Sequence, residues 1–307
     1  FFRLAGKGLE RYGDYDMRVE MTEEIGKLVP EGIQQVFWDY YHGKKSEFGD
    51  MLEMHAQISK KTWFAGGAWT WGGFAPHNTA SIKCTPPAIK AAKEYPDVQF
   101  CHATGTKAHT TCLPNFHNAF ATIYEGRFLS GVAAGLKLCE MLEAGEITED
   151  ELLIGYIGAH PYAEVISGYT AFYLGAKYIV PEVKMKVQFT GSWYDEAGER
   201  EAANTLIGRG VALMSQHADS WGAPNTCENA GVPNVSYNGS TQSACPNTFI
   251  VSSRINWAPY FEHMIKCVEE GKAIEADWTG TIDTESVLLT DINDKAAAEG
   301  TADKIAE

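Results

Sequence analysis

The sequence lacks the segments and motifs that would assign several common functions directly. No run of about 18 apolar residues occurs, so no transmembrane helix is expected. The dinucleotide motif GxGxxG, the phosphate loop GxxxxGK[ST], the metalloprotease motif HExxH and the nucleophile motif GxSxG are all absent. The sequence therefore supports no catalytic residue, no metal site and no cofactor.

Basic residues are scarce relative to acidic ones. The chain carries 25 Lys and Arg against 40 Asp and Glu, which gives a net charge of −15. A surface of this sign repels phosphate backbones, so we expect no nucleic-acid partner. The first 13 residues have the pattern of a helix and show no basic segment followed by an apolar one, so no signal peptide is visible.

Cysteine is present in an odd number, seven, and never as CxxC or at zinc-ligand spacing with histidine. Buried or free thiols are the favoured interpretation. A disulfide between Cys227 and Cys245 is the alternative. Neither pattern indicates a metal centre.

From about Tyr95 onward, strand-like and helix-like segments alternate. The segments VQFCHATG, LLIGYIGAH, KMKVQFTG, VALMSQHADS and VPNVSYNG are typical of strands. Residues 117–145 and 163–179, the segment that begins at Asp195, and a stretch near APNTCENAG are typical of helices. The alternation predicts an α/β fold with parallel sheets and helices on both faces. The first 90 residues are less legible, the role of residues 27–90 is left open, and a terminal solvated helix is expected after VLLTDIN.

Right-handed crossovers bring the carboxyl ends of parallel strands to one sheet edge, where ligands of such folds bind. Polar and aromatic residues recur at these ends: His102, Thr104, Gly105, His160, Tyr162, Trp193, Tyr194, Asp195, His217, Asp219, Ser220, Asn238 and Ser240. This composition favours a cleft for a small, planar, polar ligand.

Several of these residues have two interpretations. Asp195 is placed to cap the following helix. Trp193 and Tyr194 either contact a ligand or pack between lobes, and Asp219 is either a helix cap or a carboxylate that accepts bonds from a ligand. Asn238 precedes a glycine and could be only a turn residue.

For two aromatic residues and three histidines, a structural role is the favoured interpretation. Phe120 and Tyr124 lie on an apolar helical stripe, so core packing is expected, with a ligand-stacking wall as the alternative for Phe120. The histidines at the strand ends form no recognisable metal set and are expected to be hydrogen-bonded loop residues.

The segments NFHNAFATIYEGRFLSGVAAG, IGYIGAHPYAEVISGYTAFYLGAK, FTGSWYDEAGEREAANTLIGRG, QHADS and NWAPYFEHMIKCVEEGK, in this order, resemble the basic membrane protein family. Members are substrate-binding proteins of ABC transporters with a type I periplasmic-binding fold. The resemblance covers roughly Ala92 to Asn293.

The resemblance implies two lobes that close on a ligand and then dock on a membrane permease. It implies that Trp193 stacks on a purine nucleoside or nucleobase, that Asp219 and Asn238 make polar contacts, and that the protein is an exported periplasmic protein or cell-surface lipoprotein. Asn256 and Trp257 stand where some nucleoside binders have a lysine. We assign residues 1–107 plus 248–272 to an N-terminal lobe and 108–247 plus 273–307 to a C-terminal lobe.

The favoured hypothesis is therefore a non-catalytic ligand carrier whose binding residues are Trp193, Asp219, Asn238, Phe120, Tyr194, Asn256 and Trp257. An enzyme that uses Asp219 with His217 on a similar scaffold is one alternative. The sensory domain of a regulator is another, although no DNA-binding or signalling module is apparent in the sequence.

Overall fold

The structure is a computed structural model that describes residues 26–27, 29, 35–38, 43–57, 62–65, 86–87, 89–105 and 107–307. The predicted N-terminal helix lies outside the described residues. So do Trp69 and Trp71, which belong to a tryptophan- and glycine-rich stretch of the sequence.

The described strands and helices alternate along most of the chain. The strands are β1 (Gln35–Trp38), β2 (Thr62–Ala65), β3 (Gln99–Ala103), β4 (Phe116–Ala121), β5 (Leu153–Gly158), β6 (Lys184–Phe189), β7 (Leu213–His217), β8 (Asn234–Tyr237), β9 (Phe249–Ile255), β10 (Asp277–Gly280) and β11 (Val287–Leu289). The helices are α1 (Lys45–Ala56), α2 (Ala108–Thr111), α3 (Ile123–Glu143), α4 (Ala163–Ile179), α5 (Glu196–Ile207), α6 (Gly222–Ala230), α7 (Ala258–Glu269) and α8 (Thr301–Ala306).

The chain divides into two compact units. The first unit contains the described residues up to Phe120, together with Glu262–Thr279. The second contains Ala121–Phe261 and Gly280–Glu307. These units differ from the lobes assigned from the sequence in the placement of residues 108–120, 248–261 and 273–279, and the lobe assignment itself stays a prediction.

The first unit is built on a sheet with the strand order β1-β2-β3-β4-β10. Neighbours from β1 to β4 pair in parallel. Its core is rich in phenylalanine, and the rings of Phe64 and Phe100 lie 4.9 Å apart. Helix α1 packs here because Phe48, Met51 and Leu52 recur at helical spacing and are buried.

The second unit is built on a sheet with the order β11-β9-β8-β7-β5-β6. All neighbours are parallel except β11 and β9, which are antiparallel. The central strand β7 is buried along its whole length, as expected for a parallel strand covered on both faces. Edge strand β6 instead exposes Lys184 and Lys186, and charged side chains at an edge oppose pairing with another chain.

Helices cover both faces of this second sheet. Helices α3 and α4 supply Leu138 and Phe172 to one core, and α5 and α6 supply Leu206 and Cys227 to the other. The first pair packs closely because glycine is present at the crossing. A Cβ atom on Gly131 would lie 2.0 Å from the Phe172 carbonyl oxygen. The predicted α/β architecture with parallel sheets and helices on both faces is confirmed.

The structure corrects several local predictions. Phe120 lies in strand β4, so the helix predicted over residues 117–145 begins only at Ile123. Tyr124 is 38% exposed instead of buried in a core. Cys227 and Cys245 are free thiols, so the alternative of a disulfide is wrong. At the C-terminus only Thr301–Ala306 is helical, and Ala296 before it is buried.

Candidate functional site

The ends of strands β5, β6 and β7 lie side by side in the second unit. Gly158 is in register with both Phe189 and His217. The pairing continues past the strands, because the Ala159 amide donates to the His217 carbonyl oxygen at 2.9 Å. The loops that follow these three strands therefore begin at one edge of the sheet, as the sequence predicts.

The loop after β6 places Trp193 among the residues of its two neighbours. The carbonyl oxygen of Trp193 accepts a 2.7 Å hydrogen bond from the Asp219 amide, which joins the loops after β6 and β7. At the end of this loop the Asp195 side chain accepts a 3.0 Å bond from the Gly198 amide and caps helix α5. The predicted capping role of Asp195 is confirmed.

Aromatic and imidazole rings surround the indole of Trp193, which is 7% exposed. His160 and Tyr162 approach it edge-on, with ring centroids at 6.0 and 5.9 Å. His217 lies at 5.9 Å with its plane tilted by 56°. His217 also stacks on Tyr237, at 4.1 Å and 29°. These five residues, from the ends of four strands, form what we call the Trp193 cluster.

His217 is fully buried at the end of β7 and is not the hydrogen-bonded loop histidine that we expected. Neither ring nitrogen has a hydrogen-bond partner among the described residues. A Cβ atom on Gly168 would lie 2.4 Å from Nδ1, so that nitrogen faces the backbone of α4. Burial lowers the pKa of His217, so the imidazole is neutral near pH 7.

Two carboxylates lie beside the Trp193 cluster. Glu164 Oε2 accepts a 2.7 Å hydrogen bond from the Tyr162 hydroxyl, and Glu164 Oε1 lies 3.9 Å from His217 Nε2. Asp219 is exposed, yet the surrounding protein and then the charge of Glu164 raise its pKa to about 6. An exposed carboxylate next to aromatic rings can accept hydrogen bonds from N–H or O–H groups of a ligand.

Arg127 of helix α3 links three of the strands whose ends carry the Trp193 cluster. It is completely buried and donates to the Ser236 carbonyl oxygen at 3.0 Å, to Tyr156 Oη at 3.1 Å and to Ser215 Oγ at 2.5 Å. Its guanidinium carbon lies 4.9 Å from the Phe172 ring centroid. One side chain thus links β5, β7 and β8 at buried positions.

The described residues include no group of three or more His, Cys, Asp or Glu side chains arranged to hold a metal ion. In the same part of the chain, no helix is both long and apolar enough to cross a bilayer.

The family model for PnrA-like substrate-binding proteins of ABC transporters matches residues 85–307. The chain belongs to this family. The match confirms the resemblance to the basic membrane protein family.

Relatives agree with this membership and differ in the ligand for which they are named. A purine-binding protein of Brucella abortus (strain 2308) is 34% identical over 193 residues, which are 63% of this chain and 51% of that protein. A Haloferax volcanii protein named as an ABC transporter glucose-binding protein is 32% identical over 195 residues, 63% of this chain and 46% of that one. The chain thus spans about half the length of the curated relatives it matches.

A solved structure supports the fold alone. A solute-binding protein of an ABC transporter system from Conexibacter woesei DSM 14684 aligns with a TM-score of 0.60 at 14% identity, over 90% of this chain and 94% of that one. The type I periplasmic-binding fold of the family is therefore confirmed by sequence and by structure.

Two of the predicted binding residues, Asn238 and Asn256, form hydrogen bonds to the backbone of this chain. Asn238 has a positive φ of 55°, and its Oδ1 accepts from the Ile255 amide at 3.0 Å. Asn256 Nδ2 donates to the Glu285 carbonyl oxygen at 2.9 Å, and its Oδ1 accepts from the Ala258 amide at 3.3 Å. Their amide groups fix the ends of β8 and β9, and a ligand contact for either stays a prediction.

The other predicted residues have different surroundings. Tyr194 is 67% exposed, next to the buried Trp193. Trp257 is half-buried before helix α7, and Phe120 is half-buried in β4 of the first unit. Their roles in binding stay predictions.

Sequence reasoning missed Glu164, Tyr237 and Arg127. Glu164 could have been found as an acid in the first turn of a helix that follows a predicted strand end. Arg127 could have been found as a charged residue within the apolar helical stripe of residues 123–132. Tyr237 carried no signal, because an aromatic residue in a strand is ordinary.

Proposed function

We propose that this chain is the ligand-binding part of an ABC transporter substrate-binding protein, and that it captures a small, planar, polar solute without converting it. A purine nucleoside or nucleobase is the favoured ligand, because the Brucella relative is named for purine binding. A sugar is the second candidate, because the Haloferax relative is named for glucose.

The observation that carries the proposal is the Trp193 cluster with the exposed carboxylate of Asp219 beside it. Flat rings bind a planar heterocycle, and such a contact contributes about 0.5–1.5 kcal/mol beyond the area buried. Trp193 has little exposed surface, whereas Tyr162 packs against it and is 40% exposed. We therefore add Tyr162 to the binding residues, with Asp219 as acceptor for N–H or O–H groups of the ligand.

The enzyme alternative has weaker support. It pairs Asp219 with His217, but the carboxylate that faces His217 is that of Glu164, at 3.9 Å. Burial lowers the pKa of His217, and its Nδ1 faces the backbone of α4 rather than a carboxylate that would orient it. A non-catalytic carrier that passes its ligand to a membrane permease fits these groups better.

Export follows from the same role. A carrier that delivers ligand to an importing permease works outside the cytoplasmic membrane, so we propose a periplasmic or cell-surface location. Attachment by a lipid anchor and binding between two lobes stay predictions.

Isothermal titration calorimetry with adenosine, guanosine, inosine, adenine, hypoxanthine, D-glucose and amino acids tests the proposal. We expect saturable binding within one class, and ligand at 100 times its Kd should stabilise the fold by about 2.7 kcal/mol. Chromatography of the ligand after prolonged incubation should recover it unchanged. Binding of no compound, or formation of a product, would contradict the proposal.

A further inference from the structure

Glu164 occupies a position that neither the sequence motifs nor the proposed function explains. It lies in the first turn of helix α4, and its side chain is 10% exposed. Each carboxylate oxygen faces a different ring. Oε2 accepts the Tyr162 hydroxyl at 2.7 Å, and Oε1 lies 3.9 Å from Nε2 of His217.

Both of these rings contact the same indole. Tyr162 meets Trp193 edge-on at 5.9 Å and 80°, and His217 meets it at 5.9 Å and 56°. His217 extends the arrangement to Tyr237, on which it stacks at 4.1 Å. Glu164 thus accepts a hydrogen bond from one member of the Trp193 cluster and lies beside a second, and both of these members contact Trp193.

Glu164 and Asp219 lie in the same part of the site, because Asp219 follows His217 by two residues and Glu164 Oε1 lies 3.9 Å from His217 Nε2. The surrounding protein first, and the negative charge of Glu164 second, raise the pKa of Asp219 to about 6. Other titratable or charged groups face this region from β5, β7, β8 and the helices: Tyr162, Tyr237, His217, Glu199 and Arg127. Because burial lowers the pKa of His217, the imidazole is neutral near pH 7 and does not cancel the charge of Glu164.

We propose that Glu164 is a positioning residue of the candidate site, which holds Tyr162 against Trp193 through its hydrogen bond and places a negative charge beside His217 and the loop that carries Asp219. The ligand step rests on the proposed function. The coupling between Glu164 and Asp219 does not, and it can be measured without a ligand.

Glu164→Gln separates the two effects, because glutamine keeps an oxygen for the Tyr162 hydroxyl but removes the charge. The readout is a ¹³C NMR titration of side-chain carboxyl groups in the ligand-free 307-residue chain, with Asp219 assigned by the loss of its signal in Asp219→Asn. We expect the Asp219 midpoint to fall by roughly 0.5 to 1 pH unit in Glu164→Gln. Glu201→Gln, which alters an exposed glutamate of α5, should leave it unchanged. An unchanged midpoint in Glu164→Gln would overturn the proposed coupling.

Calorimetric titration with guanosine and D-glucose from pH 5 to 8 tests the ligand step. For the probe that binds, affinity should rise with pH through the Asp219 midpoint, and this profile should move to lower pH in Glu164→Gln. In Glu164→Ala, which also loses the acceptor for the Tyr162 hydroxyl, affinity should fall about tenfold at every pH while circular dichroism remains native.

The two proposals fail in distinguishable ways. A probe that binds with the same pH profile in the native chain and in Glu164→Gln would overturn the role of Glu164 and leave the carrier function standing. If neither probe binds but the Asp219 midpoint moves as expected, the charge coupling between Glu164 and Asp219 is supported and the ligand class of the proposed function is wrong.

Discussion

The main-chain amide of Asp219 donates a 2.7 Å hydrogen bond to the carbonyl oxygen of Trp193. The bond uses backbone atoms only, so it leaves the indole and the carboxylate available for other contacts. It also means that the aromatic and acidic parts of the candidate site are held together independently of their side chains. Substitution of either side chain can therefore test binding without separating the two loops.

Substitution of Trp193 should weaken both folding and binding. Trp193→Ala removes a buried indole, which typically lowers the free energy of unfolding by about 3–5 kcal/mol. Trp193→Phe keeps a ring and should retain the fold, while affinity for the ligand found by calorimetry falls about tenfold.

The neighbouring Tyr194→Ala is the matched control for Trp193. Tyr194 is 67% exposed, and we expect its removal to change the free energy of unfolding by less than about 0.5 kcal/mol in urea denaturation. Unchanged affinity in Trp193→Phe, and also in a folded Trp193→Ala, would refute a stacking role for the indole.

Asn238 should prove important for the end of β8. Asn238→Ala loses the bond to the Ile255 amide and places a less tolerant residue at a φ of 55°, so unfolding should become easier by about 2 kcal/mol. Asn238→Asp keeps an acceptor oxygen and tolerates this φ, so its stability should stay within about 0.5 kcal/mol of the native value. Because Asn238→Asp lacks the amide donor, calorimetry on this variant tests the predicted ligand contact, and unchanged affinity would argue against it.

The parts of the fold that were predicted well are those in which one segment determines its own structure. The segment that became α4 was predicted with its bounds, because its apolar period and flanking residues agree. The strand ends that contribute Trp193, His217 and Asp219 were also predicted to meet. This followed from parallel topology, which forces successive strand ends to one edge.

Predictions failed where a neighbouring element decides the outcome. Phe120 has helical spacing to the residues of α3, but its backbone pairs with the first-unit sheet, and a pattern along one chain cannot show that pairing. Helix α1 was missed because Phe48 and Met51 were read together with a nearby stretch rich in tryptophan and glycine. Asn256 was chosen because it stands where some nucleoside binders have a lysine, and the sequence could not show its bond to the distant Glu285 carbonyl oxygen; its ligand contact stays a prediction.

Arg127 should be among the most sensitive positions of the second unit. Its three hydrogen bonds and its contact with Phe172 hold buried groups of three strands, so Arg127→Met should lower the free energy of unfolding by at least about 3 kcal/mol. Arg127→Lys should also destabilise, because an ammonium group cannot reproduce the planar set of donors. Arg200→Met, at an exposed position of α5, serves as the control in urea denaturation and should change stability by less than about 0.5 kcal/mol. Equal effects at both positions would contradict the structural role of Arg127.

Glu199 should make the stability of the protein fall as the pH rises toward neutrality. It is fully buried, its Oε1 accepts from the Ser220 amide at 3.1 Å, and its Oε2 has no partner within the described residues. Burial raises its pKa from 4.5 to about 7. Between these values the folded protein holds a proton that the unfolded chain has released, so the free energy of unfolding decreases over this range and levels off above pH 7.

Glu199→Gln should remove this dependence, because glutamine resembles the protonated acid and keeps an oxygen for the Ser220 amide. Near pH 4.5 the native chain and Glu199→Gln should be about equally stable, and by pH 8 the variant should be more stable by up to about 3 kcal/mol. Urea denaturation at intervals from pH 4.5 to 8 measures the difference, in which titrating groups common to both proteins largely cancel. Glu196→Gln, at an exposed position of the same helix, should show no such growth with pH. A difference in stability between the native chain and Glu199→Gln that stays constant across this range would mean that Glu199 is already ionised in the folded protein. Groups near Ser220 would then offset the free energy of burying its charge.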